Sequence, residues 1–221
     1  MTTNCRLCSD LLFQGSAKTW NKPLFESPNF VVLPSLGALV EGWLLLVPKK
    51  HFICIGALPN SVATEMQEVK HFLCEFLQQY YGQVSAFEHG PSRPNSSVGC
   101  SVDHAHLHIL PVAFYLAAAV APFLPKDVRW STAGLKECQA AFGQGEDYLY
   151  LEQPIGAGRI AIHKEFESQL FRRAIAMQIG ALNQFNWREY PQFANVSATV
   201  KKWQAKNGNM FSCKSRLEVA A

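Results

Sequence analysis

The sequence predicts an α+β fold, and three observations carry that expectation. Short β-favouring runs alternate with Pro and Gly between residues 25 and 52. Apolar residues recur at three- and four-residue steps from Val62 to Tyr80 and again from Phe166 to Met177. Histidines alternate with small and apolar residues from His104 to Ile109. The first and third patterns have the period of strands, the second that of amphipathic helices.

Taken in chain order, residues 25–52 read as two strands joined by a turn. Asn60 or Ser61 then caps a helix whose apolar face is Val62, Met66, Val69, Leu73, Phe76, Leu77 and Tyr80, with Gly82 placed to end it. A strand near residues 84–87 leads into a polar loop from Gly90 to Gly99, whose composition suits a flexible, ligand-facing segment. The histidine strand follows. Beyond Pro125, charged and Gly-containing stretches surround two short strand candidates, 148–151 and 159–163. Residues 165–182 read as a helix weakened near its end by Gly180. The expected division is a core domain over residues 1–118 and an α/β C-terminal extension over 119–221 packed on it.

Composition limits what the chain can be. Of 221 residues, 48% are hydrophobic and 17% charged, which excludes wholesale disorder. The longest apolar stretches are interrupted by Pro34 and Glu41 or by Pro122 and fall short of a membrane span. A net charge of +3, without a Lys/Arg block, predicts no specific nucleic-acid binding. The opening MTTNCRLCSD lacks a basic stretch followed by an apolar core, so a cytoplasmic, reducing compartment is expected. Seven scattered cysteines suit reduced thiols or metal ligation better than a disulfide framework.

The run His104-Ala105-His106-Leu107-His108 carries the chemistry. On an extended strand the three imidazoles share one face, and same-side neighbours stand roughly 6.5 to 7 Å apart. The outer two are then too far apart to ligate one ion. Three readings stay open on the residues alone: hydrogen-bonded structural histidines, a metal hydrolase using two adjacent members of the run, and nucleophilic catalysis by one imidazole with its neighbours orienting it. The metal reading needs further carboxylates, and Asp103 faces the other way.

The His-x-His-x-His pattern with two apolar residues after it, preceded by Gly99-Cys100-Ser101-Val102, resembles the histidine triad superfamily of nucleotide hydrolases and transferases. The upstream segment from Gly42 and Trp43 to Pro48-Lys49-Lys50-His51 is similar to the family's strand ending in Pro-Lys-x-His, and Cys5-x-x-Cys8 to its zinc-binding members. The resemblance covers about residues 1–115. It implies a core with an antiparallel sheet and flanking helices, and hydrolysis or transfer at the α-phosphate of a nucleoside phosphoanhydride or phosphoramidate through a nucleotidyl-histidine.

Carried over by the resemblance, His106 is the nucleophile and His108 and His104 complete the catalytic run. Ser101, with Gly99 and Cys100, contacts the phosphate, and Cys5, Cys8, His51 and His104 are ligands of a structural zinc. On its own, Cys-x-x-Cys is equally a redox pair or an incidental one. The implied partner is a small nucleotide, and a homodimer is admitted. A catalytically weak, zinc-stabilised nucleotide-binding or scaffold protein is the alternative. It draws on departures from the pattern: Ser35 where relatives carry a ribose-binding Asp, and Cys100 where Gln is common. Trp43 either stacks on a base or fills the core. Arg93 either contacts a phosphate or is a solvated loop charge. Arg172 and Arg173 read by default as a solvated pair, the other option being a guanidinium that reaches a second phosphate.

Overall fold

A computed structural model describes residues 5–12, 22–99 and 102–207 of the chain. Its frame is one eight-stranded sheet in which every pairing is antiparallel, in the order β1-β2-β3-β5-β4-β7-β8-β6. The strands are β1 (Phe25–Glu26), β2 (Phe30–Pro34), β3 (Leu44–Pro48), β4 (Val84–Gly90), β5 (Leu107–Pro111), β6 (Ser131–Thr132), β7 (Tyr148–Glu152) and β8 (Gly158–Ile162). The helices are α1 (Arg6–Leu12), α2 (Ala63–Tyr81), α3 (Leu116–Val120), α4 (Leu135–Gly143), α5 (Leu170–Gln178) and α6 (Phe193–Asn207). The architecture is therefore α+β, an antiparallel sheet with flanking helices. Its two edge strands have two residues each, which leaves little unpaired backbone at the rims.

Alternation along the strands sorts side chains between two cores. Val32, Leu44, Leu46, Ala86, Leu107 and Ile109 join the α2 residues Leu73 and Leu77 on one face. Phe87, Leu110, Leu149 and Leu151 join Phe171 and Ile175 of α5 on the other. A third cluster, Cys5, Leu7, Cys8, Val31, Leu33 and Val47, ties the N-terminal helix to β2 and β3. The sheet is continuous across the chain's halves, because β4 pairs with β5 on one side and with β7 on the other.

Several local expectations are corrected. The helix after Pro59 begins with a 3-10 turn over Asn60–Val62, and neither Asn60 nor Ser61 caps it through its side chain; Gly82, at φ +86°, does end it. The helix expected over 165–182 starts only at Leu170, since Gln169 sits in the left-handed region at φ 58°. Strand β5 begins at Leu107, because the His104 amide turns back to the Val102 carbonyl at 2.9 Å. The loop after Gly90 is held at several points: Asp147 accepts from the Ser92 amide at 2.7 Å and from the Ser96 hydroxyl, and the Ser97 hydroxyl donates to the Phe166 carbonyl at 3.2 Å. Helices α3 and α4 are too short to give a sustained period, whereas Phe193, Val196, Val200 and Trp203 do recur at three- and four-residue steps along α6.

Candidate active site and metal centre

The register of the central strands builds the site. Phe87 of β4 and Leu45 of β3 lie opposite His108, so the His108 ring is enclosed between neighbouring strands and stacks on Phe87 at 4.5 Å between ring centres. His106, one same-side step earlier, has its ring 4.9 Å from that of His108. Both line a cavity shared with His89, Arg172, Ser35 and Trp187.

Each imidazole has a partner that can act in only one sense, which fixes its tautomer. The His106 Nδ1 is 2.6 Å from the His104 carbonyl. A carbonyl only accepts, so Nδ1 carries the proton and Nε2 is left with its lone pair. The indole Nε1 of Trp43 donates to His108 Nδ1 at 3.0 Å. Indole only donates, so His108 keeps its proton on Nε2. The two rings are fixed in opposite tautomers: one presents a lone pair, the other an N–H.

Burial keeps these rings neutral. It pushes the His106 pKa below the ordinary value against the pull of the His104 carbonyl. His108 is held well below it, by burial first and then by His106, His89 and Arg172. His89 is pushed down to about 3 by burial, with His106 and Arg172 adding to the effect. An unprotonated His106 is what a nucleophile requires.

His104 has turned away to a different task. Its Nε2 donates to the Pro48 carbonyl at 2.8 Å, while its Nδ1 lies 3.4 Å from both Cys5 Sγ and Cys8 Sγ. His51 Nδ1 lies 3.3 Å from Cys8 Sγ, and the four ligand atoms are all within 4.8 Å of one another. Zinc bonds of about 2.3 Å to sulfur and 2.0–2.1 Å to nitrogen, set tetrahedrally, place neighbouring S and N donors about 3.5 Å apart. The spacing and donor set fit that ion. The Nε2–H bond to Pro48 also gives His104 the outer-shell partner that metal-bound histidines need.

The other expected residues are distributed unevenly. Trp43 is wholly enclosed and offers no face to stack a base, so its place is beneath His108. Arg93 is exposed on the 91–99 loop and does not line the cavity. Gly99 is buried, with its amide taken by the Ser96 carbonyl at 3.2 Å. Cys100 and Ser101 lie outside the described residues. Ser35 lines the cavity and puts no carboxylate there. The metal-hydrolase reading fails on placement: His104 joins the cysteines, and neither His106 nor His108 belongs to a metal-binding group among the described residues.

Arg172 overturns the solvated-pair expectation. It is 3% exposed, its Nε and Nη2 donate to the Phe185 and Gly37 carbonyls at 2.8 and 2.5 Å, and its guanidinium lies 5.0 Å from the centre of the Trp43 ring. His89 was not singled out in the sequence at all. Two residues beyond Phe87 on β4, it falls on the same face as His108.

Neither a protein-family model nor a curated protein matches the sequence. Solved histidine triad proteins are among its structural neighbours. A hypothetical histidine triad nucleotide-binding protein from Sulfolobus tokodaii shares 19% identity over 49% of this chain and 68% of its own, with a TM-score of 0.40. A HIT family protein from Bacillus anthracis shares 18% over 57% and 100%, at 0.42. A Zn-bound histidine triad family protein from Mycobacterium smegmatis shares 18% over 64% and 94%, at 0.41. At these scores the likeness is distant, and the chemistry of the site stands on its own geometry.

Proposed function

We propose that this protein is a histidine triad-type nucleotide phosphohydrolase or nucleotidyl transferase, acting at the α-phosphate of a nucleoside phosphoanhydride or phosphoramidate. The observation that carries the reading is the pair of opposed tautomers at His106 and His108 over a shared cavity. The Nε2 lone pair of His106 forms the N–P bond as the bond to the leaving group breaks. The ring gains positive charge in that step, and the His104 carbonyl on Nδ1–H is placed to stabilise it. His108 Nε2–H donates to a phosphoryl oxygen or the departing atom. Water or another acceptor then attacks phosphorus and releases the nucleotide and a neutral His106. By the resemblance, Ser101, with Cys100 and Gly99, would contact the phosphate.

Cys5, Cys8, His51 and His104 hold zinc in this reading. Four protein ligands fill a tetrahedral site, so the ion supplies a cross-link and no reaction chemistry. The five described cysteines are buried and free, as a reducing cytoplasm would keep them. Among the described residues no helix is long and apolar enough to cross a membrane.

The test is to trap the adduct. After brief exposure to a panel of phosphoanhydrides and phosphoramidates, mass spectrometry should find one nucleotidyl group on the peptide containing His106. His106→Asn should carry none, and its turnover should drop roughly a thousandfold or more with its circular dichroism intact. Undiminished turnover in the variant would sink the mechanism. Binding of a nonhydrolysable nucleotide by a wild type that turns over nothing would favour the scaffold alternative, to which the missing carboxylate at Ser35 lends support.

A further inference from the structure

The proposed chemistry uses His106 and His108 and leaves two groups of the same cavity without a task. Arg172 places a buried guanidinium at the cavity wall. A guanidinium stays charged across the range in which proteins are folded, so the cavity holds a fixed positive charge among imidazoles that burial keeps neutral. His89 is 5% exposed. The Phe171 amide points to its Nε2 at 3.5 Å, which leaves the proton on Nδ1, and that buried atom has no protein partner. Buried donors are almost always satisfied, and because His89 lines the cavity, a group bound there is the partner this one lacks within the protein.

We propose that Arg172 and His89 form a second anion subsite beside His106, which takes the phosphoryl group next to the one under attack. The favoured substrate then carries two adjacent phosphoryl groups: a nucleoside di- or polyphosphate, or two nucleosides joined through an anhydride. The inference rests on His106 as nucleophile and narrows the substrate class. As the bond from His106 Nε2 to the α-phosphorus forms, the bridging P–O bond breaks and its electron pair stays on the departing phosphate, whose negative charge grows. A fixed guanidinium favours that growth. It disfavours a phosphoramidate, whose departing nitrogen must collect a proton and leaves neutral or cationic beside a positive charge. The C-terminal half, through α5, would thereby select the leaving group.

Calorimetric titration of the zinc-loaded, full-length chain with inorganic pyrophosphate and with inorganic phosphate tests this without depending on turnover. The wild type should bind pyrophosphate at least tenfold more tightly than phosphate. Arg172→Gln should lose about 10- to 100-fold in pyrophosphate affinity, and Arg172→Lys should recover part of it. His89→Gln should lose severalfold. Equal affinity of the wild type for the two anions overturns the proposal, as does undiminished pyrophosphate binding by either Gln variant. Should Arg172→Gln fail to fold, Arg172→Lys decides: the charge without the fork must bind pyrophosphate more weakly than the wild type. His106→Asn separates the two readings. If this variant binds pyrophosphate as the wild type does while the wild type itself never forms an adduct on His106, the subsite stands and the nucleophile falls.

Discussion

Trp43 shows how much one enclosed side chain contributes to a reactive site. Its ring lies edge-on to both Phe87 and His108, and its single polar atom sets the His108 tautomer. Trp43→Phe keeps an aromatic ring in the gap and removes the donor, together with one ring of a fully buried indole. His108 Nδ1 then has no fixed partner, and the ring is free to present the wrong nitrogen to the cavity. We expect kcat/KM to fall about 10²–10³-fold, while urea unfolding reports a loss of only about 1–3 kcal/mol. Equal turnover in variant and wild type would mean that His108 needs no orienting group. This role is not visible in the sequence. The residue type and depth there suggest either core or base stacking, whereas the hydrogen bond to a residue 65 positions away depends on strand register.

At the scale of elements, the C-terminal helices hold the front of the site in place. Around α6, the Gly37 amide donates to the Pro191 carbonyl, the Asn195 side chain to the Ala38 carbonyl, and the Gly42 amide to the Thr199 hydroxyl, all at 2.8 Å. At Gly37, φ is +77° and an added Cβ would stand 2.5 Å from Trp187 Cβ, so no side chain fits. Trp203 anchors α6 from the other end, 3% exposed and 4.7 Å from the ring of Phe76 on α2. Trp203→Ala should cost about 3–5 kcal/mol in urea unfolding; a loss below 1 kcal/mol would mean that α6 is not anchored there. The long strands and α2 were legible because their apolar periods span many residues, and the pairs His106 and His108 or Cys5 and Cys8 because their spacing is local. The environment of Arg172 was not legible. A guanidinium on a short helix looks solvated until Gly37 and Trp43, more than 120 positions earlier, are folded against it.

At the scale of the whole molecule, the Cys2His2 cluster joins three distant parts of the chain: the N-terminal helix, the loop after β3 and the entry to β5. The same residue, His104, offers its ring to the cluster and its carbonyl to His106. Fold and catalysis should therefore respond to zinc together. Metal analysis of the purified protein should find one zinc per chain, falling to a small fraction in Cys8→Ser. A cross-link over a loop of this length is worth about 2–4 kcal/mol, and a chain of this size shifts by about 2–4 °C per kcal/mol, so chelation should lower Tm by roughly 4–16 °C. Adduct formation on His106 should slow as Tm falls and return when zinc is restored. A catalytic ion would behave differently, with activity lost on chelation and Tm unmoved. If Tm and adduct formation both ignore chelation, the cluster is a set of buried thiols and imidazoles and the zinc assignment fails.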